Sequence, residues 1–258
     1  MKVIVLLCFA VLTTAGEANS KVLSTKSNFY QDVIHDTELE ENFEQVLLTN
    51  NILHYLLETV NFFTNQGLDA VEKVRRDVDS LLDDVLGEAE KLLSQSNQEI
   101  NSNIDEVKQN LTAAENQLSH CFANVTERLE QIAGDSFANT KHCFDDLVAR
   151  IKLIRSNVKE HVDFFIGKVH NIQQIGDACV AENSKLAEQV RCLLDHITET
   201  NAIVLEIVKD IGKLLAETTE EAISLATDTK GCLLDVVKQS RNDCDRLVKE
   251  VHQCLQEK

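Results

Sequence analysis

The sequence predicts an all-α protein, an elongated antiparallel helical bundle of coiled-coil type held by disulfides. Three observations lead there. The 258 residues contain no proline, where average usage gives roughly 13, so almost nothing in the chain interrupts helix. Apolar residues recur at alternating steps of three and four along most of its length, the spacing of a helix face packed on another helix. Seven of the eight cysteines, from Cys121 to Cys254, are scattered at helical positions. β-Sandwiches and barrels need turn residues every 8–12 positions or so and are excluded. A hydrophobic fraction of 43% with only 5% aromatics supplies an aliphatic core and argues against a disordered chain.

Residues 1–18 read as a secretory signal peptide. Lys2, the apolar run Val3–Leu12 and the small residues Thr13-Thr14-Ala15-Gly16 supply the charged start, hydrophobic centre and cleavable end of such a leader, with cleavage expected after Ala15, Gly16 or Ala18. About ten apolar residues at 1.5 Å each fall short of a ~30 Å hydrocarbon core, so the run is no anchor. No later stretch reaches 18 uninterrupted apolar residues; even Phe43 to Phe63 contains Glu44, His54 and Glu58. The expectation is a secreted, extracellular protein without stable membrane insertion.

Residues 19–68 form an N-terminal apolar helix region, with a start at Thr37-Glu38-Leu39-Glu40 and a stop at Gly67. Its Ile52, Leu53, Leu56, Leu57, Val60 and Phe62 exceed what one buried face needs, so it reads as the central bundle helix or as a ligand lid. Residues 69–133 read as one long helix starting at Asp69-Ala70-Val71-Glu72, with an apolar seam through Val71, Val74, Val78, Leu81 and Val85, resuming at Ile100, Ile104, Val107 and Leu111 and reaching Leu129 and Ile132. Ser96-Asn97-Gln98-Glu99 resembles a capping box and marks a hinge near 95–97 or a second start. Asn110-Leu111-Thr112 and Asn124-Val125-Thr126 are glycosylation acceptors; 14 residues apart on one predicted helix, they share nearly one face, which must then look at solvent.

Residues 134–258 read as a cysteine-containing bundle of helices over 136–175, 177–199, 201–229 and 231–257. Stops fall at Gly134, Gly176 and Gly231, with a softer boundary at Thr198–Asn201. His120-Cys121-Phe122 recurs as His142-Cys143-Phe144, a 22-residue repeat flanking Gly134. Zinc is the sharper reading of two His-Cys pairs, but adjacent helical residues project about 100° apart. A Cys121–Cys143 disulfide is the plainer one in an oxidising compartment. The leader removes Cys8, leaving seven cysteines and so at least one unpaired thiol. Cys179 and Cys192 are 13 apart and Cys232 and Cys244 are 12 apart, too distant within one helix to bridge. The matched spacing predicts Cys179–Cys232 and Cys192–Cys244, with Cys254 free or intermolecular. A break near Asn183-Ser184 allows Cys179–Cys192 instead.

A secretory leader, a proline-free helical body and cysteines at helical positions from Cys121 to Cys254 resemble secreted insect proteins of the TsetseEP-domain type, over the C-terminal half. The glutamate-proline tail of that family's namesake is missing. The resemblance implies a gut, saliva or haemolymph protein without known catalysis.

Lys+Arg 25 against Asp+Glu 43 gives a net charge of −18, which disfavours nucleic acid and anionic lipid as partners and favours a basic one. No nucleophile elbow, zinc-protease helix, phosphate loop, Cys-x-x-Cys or calcium loop occurs, so no cofactor and no enzymatic activity are expected. Ser156-Asn157-Val158-Lys159 matches a Ser-x-x-Lys pattern without its companion motifs. Two function classes follow: an acidic, glycosylated extracellular protein that engages a protein partner, or an amphipathic-helix carrier of lipid or a small apolar ligand. An unpaired Cys254 adds a route to a disulfide-linked homodimer, beside a coiled-coil one.

Overall fold

A computed structural model of the chain describes residues 43–112, 121 and 124–256. The expected leader, the helix start at Thr37 and His120 lie outside the described residues. Three helices account for almost all of them: α1 Phe43–Thr112, α2 Val125–Glu182 and α3 Leu186–Gln256. No strand occurs among the described residues, and the predicted all-α, disulfide-stapled helical bundle is the fold observed.

The six segments expected beyond residue 37 are redrawn as these three helices: the helix ends at Thr112 and Val125 fall inside the long helix expected over 69–133, those at Glu182 and Leu186 fall inside the one expected over 177–199, and the expected breaks are helical. Gly67 lies inside α1, Gly134 and Gly176 inside α2 and Gly231 inside α3, and no described glycine takes a positive φ. The 94–99 stretch and Thr198–Asn201 are helical throughout. The reason is the phase of the buried stripe. In α1 it runs Leu56, Val60, Phe63, Gly67, Val71, Val74, Val78 and Leu82, and continues through Ala89, Ser96, Ile100, Ile104, Val107 and Leu111, in steps of four, three and four that repeat every 11 residues. Three helical turns take about 10.8 residues, so an 11-residue repeat keeps such a stripe on nearly one face. Val125, Leu129, Ser136, Thr140, Cys143, Leu147, Ile151, Ile154, Val158, Val162, Phe165 and Val169 follow the same rhythm in α2.

Two of the glycines belong to that packing. A Cβ on Gly67 would lie 3.2 Å from Val169 Cγ2, and one on Gly176 would lie 3.1 Å from Val60 Cγ1. Both spacings are tighter than ordinary contact, so glycine here lets helices approach and ends nothing.

True chain reversal is coded by polar side chains. Between α2 and α3, Asn183 Nδ2 donates to the Cys179 carbonyl (2.8 Å), and Gln189 Nε2 lies within bonding distance of the Asn183 (2.7 Å) and Val180 (3.0 Å) carbonyls. The Lys185 carbonyl then accepts from the backbone N–H groups of Glu188 and Gln189. These bonds satisfy groups a helix end would leave bare. Ahead of α2, Asn124 takes φ 68°, a left-handed conformation that asparagine tolerates better than most residues, and its carbonyl accepts from Arg128 N at 2.9 Å.

The described residues divide into two compact units that cut across the sequential blocks read from the sequence. One takes residues up to Val71 with Phe165–Gly212, the other Glu72–Phe164 with Lys213 onward. Each combines a stretch of α1, α2 and α3, because antiparallel return brings residues distant in sequence to one level. The first unit packs Leu56, Val60, Phe63, Ile172, Cys179, Leu193 and Val204. The second packs Ile100, Ile104, Val107, Leu111, Val125 and Leu129 against Val237, Leu247 and Val251. The apolar 43–63 stretch thus supplies core residues Leu56, Val60 and Phe63 while leaving Tyr55 and Phe62 exposed. No described helix is long and apolar enough to cross a membrane.

Candidate functional site: the bridged α2–α3 groove

The cysteine pairing differs from the expectation. Cys121 bridges Cys254, with Cα atoms 5.8 Å apart, Cys143 bridges Cys232 (5.9 Å), and Cys179 bridges Cys192 (5.6 Å). The expected Cys121–Cys143, Cys179–Cys232 and Cys192–Cys244 pairs do not form, whereas the alternative Cys179–Cys192 pair, allowed by a break near Asn183-Ser184, does. Cys254 is bonded, and the free thiol is the buried Cys244. Cys179 meets Cys192 because the break at Asn183–Lys185 folds α3 back on α2. The other two pairs share one spacing: 22 residues separate Cys121, ahead of α2, from Cys143 on α2, and 22 separate Cys232 from Cys254 on α3. Equal spacings on antiparallel helices put both pairs at matching heights. That equality was the signal in the sequence; the 13- and 12-residue match of Cys179–Cys192 with Cys232–Cys244 was a coincidence of similar size.

Between those two bridges, in the second unit, α2 and α3 flank a groove of about 580 Å³. Ile132 of α2 and Val236 of α3 supply apolar surface, and the polar lining includes Gln131, Asp135, Ser136 and Asn139 of α2 with Asp235, Gln239 and Asp243 of α3. The α2 stripe, which elsewhere is mostly aliphatic, carries Ser136 at this level, and a small side chain leaves volume that a leucine would fill. Ser136 is 6% exposed, lines the groove and has no hydrogen-bond partner.

The two groove arginines are already engaged. Arg128 donates to Glu250 Oε2 at 2.6 Å, a bond that holds the Glu250 carboxyl below its ordinary range. Arg246 donates to Asp243 Oδ1 at 2.7 Å, and Gln239 to Asp243 Oδ2 at 3.0 Å. Asp135 and Asp235 have no ion pair or hydrogen bond. The groove therefore presents two unpaired carboxylates beside apolar surface. Cys244, one residue beyond Asp243, is held in the thiol form because burial and then the carboxylates of Asp243 and Asp245 push its pKa up; a protonated, buried sulfur is a poor nucleophile.

The other sequence-read candidates fall elsewhere. Asn110 and Asn124 are both exposed, but Asn110 stands in the last turn of α1 and Asn124 just before α2, so they do not share a helix. His142 is exposed and its neighbour Cys143 is bridged, while His120 is outside the described residues. His196, on the first unit's α3 stretch, is a core histidine: its Nε2 lies 2.8 Å from the Ile172 carbonyl oxygen, and its Nδ1 is buried without a partner. Among the described residues no three His, Cys, Asp or Glu side chains cluster to hold a metal ion.

A protein-family model described as "Protein of unknown function (DUF725)" matches residues 117–238, a span that holds all of α2 and, of the groove's α3 side, Cys232, Asp235 and Val236. No curated protein and no solved structure matches the chain.

Proposed function

We propose that the protein is a secreted, glycosylated binding protein without catalytic activity, which engages a basic extracellular protein through its acidic surface. The observation that carries this reading is the net charge of −18 on helices cross-linked by three disulfides. Such bridges belong to an oxidising compartment, and a fixed field of one sign steers an oppositely charged partner. The exposed acceptors Asn110 and Asn124 and the resemblance to insect TsetseEP-domain-type proteins support a place in gut, saliva or haemolymph.

The lipid-carrier alternative requires helices to part and expose their apolar stripes. One bridge ties α2 to α3 and another ties Cys121, just ahead of α2, to α3, and Leu56, Val60 and Phe63 already belong to a packed core, so the binding role is better supported. Immobilised protein exposed to its native fluid is expected to retain a basic protein that elutes as salt rises, while the chain stays unbound when floated with phosphatidylcholine vesicles. Flotation with the vesicles, or retention of no protein at low salt, defeats the reading.

A further inference from the structure

We propose that the α2–α3 groove is a binding site for a small aliphatic diammonium ion, a use that does not depend on the protein-partner role above. Four features converge. The groove has room for a small molecule, at about 580 Å³, within the range of ordinary ligand sites. Asp135 and Asp235 line it unpaired, while Arg128 and Arg246 are occupied by Glu250 and Asp243. Ile132 and Val236 offer apolar surface for a methylene chain. Ser136, 94% withdrawn from solvent and without a partner, supplies a hydroxyl acceptor.

The register sets a minimum length for the ligand. Asp135 lies eight residues before Cys143 on α2, and Asp235 lies three residues after Cys232 on α3. Because the helices run antiparallel from that bridge, both displacements point the same way, and the carboxylates are offset by five residues, about 7–8 Å along the axes. A diammonium ion must cover that axial offset together with part of the lateral gap between the two helices, which sets a lower bound of about five carbons between its ammonium groups. A sugar is a poorer match, since no aromatic ring lines the groove. A dianion is poorer still, since both guanidinium groups already hold carboxylates.

The test is calorimetric titration of the intact, disulfide-bonded protein with 1,5-diaminopentane, pentylamine and glutarate. Saturable binding of the diamine is expected, weakened about fivefold by Asp135→Asn and again by Asp235→Asn, as the loss of one partly exposed ion pair predicts. Pentylamine should bind more weakly than the diamine, and Asp69→Asn, an exposed carboxylate of the other unit, should change nothing. Both groove variants neutralise exposed side chains, and circular dichroism is the check that they keep their helix. The proposal is overturned if the diamine shows no saturable binding by about 10 mM. It is equally overturned if Asp69→Asn weakens binding as much as the groove variants do, or if glutarate binds in place of the diamine.

Discussion

At the scale of single residues, glycine carries two different meanings in this chain, and they predict opposite responses to the same substitution. Glycine inside a helix costs about 1 kcal/mol relative to alanine. At Gly87 and Gly134 a Cβ would meet nothing within 4 Å, so Gly87→Ala and Gly134→Ala are each expected to raise stability by about 0.5–1 kcal/mol. At Gly176 the Cβ would press to 3.1 Å on Val60, a buried β-branched side chain with little rotamer freedom. Overpacking of that kind costs about 1–3 kcal/mol, so Gly176→Ala is expected to lose about 1 kcal/mol net. Urea unfolding followed by helical signal distinguishes the cases. A gain at Gly176 equal to that at Gly134 would show that the helices there are not in close contact. Reading Gly67, Gly134, Gly176 and Gly231 as stops failed because local conformational freedom is only permission to end a helix. Where the stripe stays in phase on both sides, as from Phe63 through Gly67 to Val71, burial overrides that permission.

At the scale of elements, the helical class and the stripes were legible because a period is a property of many residues at once. Helix ends and partners were less so. The break at Asn183–Lys185 was legible only as an alternative, near Asn183-Ser184, because the side-chain bonds from Asn183 and Gln189 that hold it show in a sequence only as polar residues. The groove was invisible because it depends on which two helices meet at Ser136. The bridges make the pairing testable by stability. In the loop-entropy account a cross-link of separation 13, as Cys179–Cys192, contributes about 3 kcal/mol, and one of separation 133, as Cys121–Cys254, about 5. With Cys143–Cys232 intact, however, the outer bridge closes only the two 22-residue arms, and its contribution falls to about 4 kcal/mol. Replacing Cys121 and Cys254 together by serine should therefore cost about 4 kcal/mol in the otherwise oxidised protein, and more when Cys143 and Cys232 are also replaced. Peptide mapping should recover Cys244 as the thiol that reacts only after unfolding. Equal cost in both backgrounds would mean that the two bridges do not close nested loops.

At the scale of the whole molecule, charge works against itself. With 43 acidic and 25 basic residues, at least 18 carboxylates have no cation to meet. The second unit uses three α2 arginines to tie acids on other helices: Arg128 to Glu250, Arg150 to Asp228, and Arg155 to Asp79 and Asp83. Exposed pairs of this kind contribute about 0.2–1 kcal/mol each, and at contact distance salt weakens them only in part. Repulsion among the remaining acids acts over longer distances and is far more sensitive to screening, since the Debye length shrinks from about 30 Å at 0.01 M salt to about 8 Å at 0.15 M. Relief of repulsion should therefore win. Raising sodium chloride across that range is expected to raise the melting temperature by about 3 °C or more, read by circular dichroism at fixed neutral pH. A fall in melting temperature would show instead that the interhelical arginine pairs outweigh the excess negative charge. The surface would then be organised for cohesion, and its electrostatic attraction for a basic partner would be the weaker of its two roles.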